Sequence, residues 1–140
     1  MSIAARAEAL ARAGRTLEAR ALIEDAAFRG DGSALLMMAH WRLYGVNGTR
    51  DWADMHRMLD RAIAAGFTPA LTLKATLTAN GTGVAADWPG AMRLLVKAAK
   101  RDPAAKAQLE LLKAQDALED GGAGRALPAP QRLADAPDAI

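Results

Sequence analysis

The 140-residue sequence contains no cysteine, and phenylalanine, tryptophan and tyrosine together make up only 4% of it. Without thiols there is neither a disulfide framework nor a thiolate metal site, and a cytoplasmic location is the expectation. Scarce aromatics mean that any core must be built from small, closely packed side chains, and 35 alanines, a quarter of the chain, supply them. Long apolar runs are missing as well. Arg6, Glu8 and Arg12 interrupt the N-terminus where a signal peptide needs an unbroken apolar stretch, and no uncharged run approaches the ~18 residues of a membrane span. Charge of one sign is also sparse: 18 basic residues against 16 acidic ones leave a formal charge of +2. That is no basic stripe, and it gives nucleic-acid binding no support. The length suits one domain able to close a core unaided.

What the chain does have is punctuation and helical periodicity. Breaks fall at Gly14, Gly30-Asp31-Gly32, Gly45 to Asp51, Gly66, Gly81 to Asp87, Asp102-Pro103 and Gly121-Gly122. Between them apolar residues recur at spacings of three and four, as in Leu35, Met38 and Ala39, in Met55, Met58, Leu59 and Ala62, and in Leu94, Leu95 and Ala98. Ser33, Asp51, Thr68, Asp87 and Asp102 stand where N-caps are needed, and Pro69, Pro89 and Pro103 fall in first turns, where a missing N–H costs nothing. The pattern predicts seven helices, at about 3–13, 17–28, 33–44, 52–65, 69–80, 88–101 and 103–119. Residues 121–140, dense in glycine and proline, read as a tail or linker, which leaves 1–120 as the folded part.

Shifting the chain by 36 residues aligns Gly30 with Gly66, Ala34 with Ala70, Leu35 with Leu71, Ala39 with Ala75 and Gly45 with Gly81. The same shift aligns Asp51 with Asp87, Trp52 with Trp88, Arg57 with Arg93, Leu59 with Leu95 and Ala62 with Ala98. Carried backward it pairs Ile23 with Leu59 and Ala26 with Ala62, and carried forward it pairs Ala75 with Leu111. A helix pair recurring at this spacing is the mark of an α-solenoid, in which each repeat buries its apolar face only against its neighbours. The fold class expected is therefore all-α, with the recurring alanines where helices cross closely and Trp52 and Trp88 as packing residues.

Gly81-Thr82-Gly83-Val84-Ala85-Ala86-Asp87, followed by Ala91, Leu94 and Lys97-Ala98-Ala99, resembles the Sel-like repeat, a tetratricopeptide relative with the pattern G-x-G-V-x-x-D-x-x-x-A and a later K-A-A. Residues 34–66 keep Gly45, Asp51, Ala62 and Gly66 but carry Asn47 and Gly48 where the pattern has Gly and Val, and the unit at about 3–30 is degenerate. This resemblance implies a right-handed superhelix that binds protein or peptide. A narrower resemblance comes from the order of two repeats, final helix and the segment Leu127-Pro128-Ala129-Pro130-Gln131-Arg132-Leu133-Ala134-Asp135-Ala136-Pro137-Asp138. It is similar to the N-terminal region of bacterial prolyl 4-hydroxylase-type oxygenases that use 2-oxoglutarate and iron. That likeness implies a catalytic oxygenase domain, or its polypeptide substrate, as partner; the alternative is a free-standing adaptor.

No catalytic constellation is found. His40 and His56 lack the His-x-Asp of an iron facial triad, and no cofactor is expected in this chain. Gly81-Thr82-Gly83 lacks the Gly-Lys-Ser/Thr of a phosphate loop and reads as a turn. Glu8, Glu18, Glu24, Asp25 and Glu110 read as surface acids with basic neighbours. His40, Trp41 and Tyr44 change to Thr76, Leu77 and Asn80 one repeat later, and varying positions on a repeating scaffold are free to recognise something. In tetratricopeptide-like solenoids the first helix of each pair lines the concave face, so the resemblance makes His40, Trp41, Tyr44, Lys74, Thr76 and Asn80 the candidate contact set. Trp41 and Tyr44 could equally fill core space left by small alanines, and a buried Trp41 would decide for packing.

Overall fold

The computed structural model describes residues 2–119, so the expected tail at 121–140 lies outside the described residues. Seven helices are present among them: α1 (Ile3–Arg12), α2 (Thr16–Phe28), α3 (Gly32–Tyr44), α4 (Trp52–Ala64), α5 (Thr68–Asn80), α6 (Trp88–Ala99) and α7 (Pro103–Glu119). They fall into two compact units, α1–α4 up to Phe67 and α5–α7 from Thr68. No helix among the described residues is long and apolar enough to cross a membrane.

Within the first unit α1 packs on α2, α2 on α3 and α3 on α4; within the second, α5 packs on α6 and α6 on α7. The 36-residue period is a period of burial. Ala7, Leu43 and Ala79 are buried at one repeat position, and Ala19, Met55 and Ala91 at another. Ile23, Leu59 and Leu95 form a third set, and Ala26, Ala62 and Ala98 a fourth, so the degenerate first pair shares the scaffold. Ala34, Ala70, Ala39 and Ala75 are fully buried too, as close helix crossings without bulky side chains require. In the second unit Ala75, Ala79, Ala91, Leu95, Ala98, Ala105, Leu109 and Leu112 make one cluster, with Trp88 packed against its edge.

The helix pairs close in the same way. At the end of α3 the N–H groups of Gly45 and Val46 both donate to the Trp41 carbonyl, and Asp51 N–H donates back to Arg42. At the end of α5, Thr82 N–H donates to Leu77 and Asp87 N–H to Thr78. Gly45 (φ 76°) and Gly81 (φ 73°) hold the left-handed conformation that this closure requires. Asp51 and Asp87 then cap α4 and α6 through their carboxylates, accepting from Asp54 N–H and Gly90 N–H at 2.9 Å each.

Three sequence expectations need correction. Asp31, not Ser33, caps α3: its Oδ1 accepts from Ala34 N–H at 2.9 Å, and Ser33 donates its hydroxyl to the same oxygen at 2.6 Å. Thr68 is itself the first residue of α5 rather than its cap. The forward pairing of Ala75 with Leu111 fails, because Ala75 is fully buried whereas Leu111 is 68% exposed. The spacing also changes here, α6 having 12 residues where α4 has 13 and α7 opening 35 residues after α5, at Pro103 against Thr68, but an offset of 35 does not restore the pattern, because it pairs Ala75 with exposed Glu110. The buried residues of α7 are instead Ala105, Leu109 and Leu112, spaced four and three apart as on a helix that turns one face to α6.

Candidate functional site

α3 and α5 differ from α4 in how they are buried. On α4 the buried residues Met55, His56, Leu59 and Ala62 form one stripe, whereas on α3 Ala34, Leu35, Ala39, Trp41 and Leu43 lie on several sides. On α5 the buried set is Ala70, Ala75, Thr76, Leu77 and Ala79, again without a single apolar face. Little surface is left on these helices, and what remains decides which candidate residues can touch a ligand.

Trp41 is only 2% exposed and Thr76 only 3%. Both belong to the core, so the Trp41 ring is enclosed and is not presented to solvent. Its repeat counterpart Leu77 is equally buried; the difference between repeats at this position is one of core volume. Thr76 satisfies its hydroxyl within α5 by donating to the Thr72 carbonyl. His40 and Tyr44 are half-buried on α3, Lys74 is half-buried on α5, and Asn80 is exposed at the end of α5. These four remain as side chains that reach solvent from first helices, two in each unit.

An ion-pair clamp that the sequence reading missed stands beside the α3 residues. Arg42 of α3 reaches Asp54 of α4 at 2.9 Å, with both side chains about three-quarters covered, and Asp54 also takes Arg57 at 3.0 Å. Its signal lay twelve positions apart on different helices, beyond the reach of helical spacing rules. Trp52 lies at the rim of the same loop, where its indole N–H donates to the Leu43 carbonyl at 3.4 Å and Arg50 stands 5.5 Å over its ring. At Asp31, the Ser33 hydroxyl bond and then the Ala34 N–H hold the carboxyl below its ordinary range. The Arg15 hydrogen bond does the same for Glu18, an exposed residue.

The residues do not fit an iron site of the oxygenase type. His40 is on α3 and His56, 8% exposed, on α4, and neither is followed two residues on by an acid. Among the described residues there is no group of three or more His, Cys, Asp or Glu that could hold a metal.

No family model and no curated protein matches the chain. Among solved structures it is similar to a protective antigen present in uropathogenic Escherichia coli strains that displays an SLR fold. The two share 28% identity with a TM-score of 0.60, and the likeness covers 64% of this chain and 20% of that one. The chain therefore corresponds to about a fifth of the length of that antigen. Seven helices without a strand among the described residues, the recurring burial positions and this likeness give the fold class as an all-α solenoid of Sel-like helix pairs.

Proposed function

We propose that the chain is a non-catalytic scaffold that binds protein or peptide through the solvent-reaching side chains of its first helices, each unit by itself: His40 and Tyr44 on α3 in the first and Lys74 and Asn80 on α5 in the second. The observation that carries this reading is the contrast between a frame that repeats and a surface that does not. Caps, closing glycines and buried alanines recur at one offset, while on the surface Met38 gives way to Lys74 and Tyr44 to Asn80. The SLR-fold neighbour supports a repeat scaffold of this kind. A peptide library panned on the 140-residue chain should yield ligands that bind parent protein and lose affinity to His40→Ala/Tyr44→Ala or Lys74→Ala/Asn80→Ala at unchanged melting temperature. Ligands indifferent to all four substitutions would overturn the assignment.

In its fuller form, the reading makes these residues the N-terminal interaction region of a cytoplasmic prolyl 4-hydroxylase-like oxygenase, a role supported by the order of repeats, final helix and proline-rich segment; a free-standing adaptor is the alternative. A His-x-Asp and a distal His in the reading frame beyond Ile140 would select the former. Because the two histidines offer no facial triad, the chain by itself takes up neither ferrous ion nor 2-oxoglutarate. Anaerobic calorimetry with both tests that, and micromolar uptake would refute it.

A further inference from the structure

The repeat provides its own control for surface charge, because α4 and α6 carry the same frame. On α4, Arg57 pairs with Asp54, Asp60 lies on the same exposed side, and Arg61 donates to the Ala27 carbonyl at 3.1 Å. One repeat later Arg57 and Arg61 become Arg93 and Lys97, so both cations are kept. The acids are lost: Asp54 becomes Gly90 and Asp60 becomes Val96. Ala64 and Ala65 become Lys100 and Arg101, which adds two further cations.

Arg93, Val96, Lys97, Lys100 and Arg101 are all exposed. None of the four cations makes an ion pair among the described residues, whereas Arg12, Arg15, Arg20 and Arg29 of the first unit each have an acid within one helical turn. Between Arg61 and Glu110 the carboxylates are Asp87 and Asp102, and both are engaged in capping backbone N–H groups. Arg93 and Lys97 stand four apart on α6, and such a like-charge pair repels; Lys100 caps the helix and Arg101 follows it in the turn. The helix C-terminus favours cations at Lys97 and Lys100, so α6 tolerates the cluster without neutralising it.

We infer that this face of α6 is a second binding surface, whose partner is an acidic protein segment carrying an apolar residue that meets Val96. The four cations call for carboxylates, and Val96, 41% exposed in their midst, calls for one apolar contact. From Arg93 to Lys100 the face runs only about 10 Å. That is short for the track of a nucleic acid, and its exposed residues include no aromatic for a base to stack on. With a single exposed valine it also lacks the broad apolar face of a membrane-lying helix.

The test uses the whole chain and a short fluorescein-labelled peptide with a leucine flanked by glutamates. Parent protein should bind it with an affinity that falls as salt rises. Lys97→Glu/Lys100→Glu should weaken binding about tenfold or more, while Lys113→Glu on α7 leaves it unchanged. Melting curves matching the parent exclude unfolding as the cause. Absence of binding, or equal binding by the α6 variant, overturns the inference, as does tighter capture of a DNA duplex or of phosphatidylserine vesicles than of the peptide. The α3 and α5 substitutions leave this peptide's affinity intact, so the two surfaces stand or fall separately.

Discussion

Trp41 is the largest fully buried side chain among the described residues, and its removal leaves a void that the surroundings refill only in part. Trp41→Ala should cost about 3–5 kcal/mol, read as a shift of the urea midpoint; a cost near zero would place the ring outside the core. The opposite change is costly as well. Ala98 is fully buried against Ala105 and Leu109 in one cluster, so Ala98→Leu should destabilise by about 1–3 kcal/mol through overpacking, and a melt like that of the parent would contradict the register described above. At Asp31 the bound carboxylate has a lowered pKa. Its contribution is therefore present above the ordinary carboxylate pKa and lost as pH falls through the depressed folded value. Asp31→Ala should cost about 1 kcal/mol near neutral pH, and in acid denaturation the gap between variant and parent should close below that value. An undiminished gap in strong acid would mean that the cap does not act through its charge.

Helix by helix, most of the architecture was legible in the sequence. Capping aspartates at Asp51 and Asp87, glycines at Gly45 and Gly81 and prolines in first turns are local signals, and the helices they delimit lie within about two residues of where those signals put them. Failures occurred where a residue's role is set by something distant in sequence. Ser33 is as good a cap as Asp31 by local rules, but Gly32 allows the helix to begin one residue earlier beneath Phe67. A Cβ at Gly32 would come within 2.5 Å of Phe67 Cβ and 2.9 Å of its Cγ. Trp41 and Thr76 looked like recognition residues because they vary, yet α3 and α5 are covered on several sides, so a change at these positions alters what fills the interior. That the repeat does not extend into α7 was hidden because Ala98 keeps the 36-residue register up to the last turn of α6. Gly32→Ala should thus destabilise even though alanine favours helix, and Phe67→Ala should relieve part of that loss. A double-mutant cycle with no coupling between them would show the contact to be unimportant.

On the scale of the whole molecule, the two units have different electrostatic characters. Ion pairs between neighbouring turns and the Arg42–Asp54 clamp brace the first unit, while the second rests on an alanine and leucine cluster. Exposed pairs contribute little, so burial dominates in both. Chains in which neighbours contact only neighbours open in parts. Hydrogen exchange on Trp41→Ala should accordingly show protection falling across α1–α4 and persisting in α5–α7. Uniform loss would reveal one cooperative block.

The closures after α3 and α5 have a further consequence. Each is tied at both ends by main-chain bonds, Val46 to Trp41 and Asp51 to Arg42 in one, Thr82 to Leu77 and Asp87 to Thr78 in the other. Within them Asn47 (φ 56°) and Gly83 (φ 74°), one repeat apart, both take the left-handed conformation, so each turn needs Gly or Asn at that position while the residues after it differ, Gly48-Thr49-Arg50 in one and Val84-Ala85-Ala86 in the other. They behave as interchangeable connectors. Exchanging 45–51 for 81–87 keeps both left-handed positions in place and should leave the circular dichroism spectrum of the chain unaltered, whereas a β-branched residue at Asn47 or Gly83 should loosen the helix ends that the turn joins.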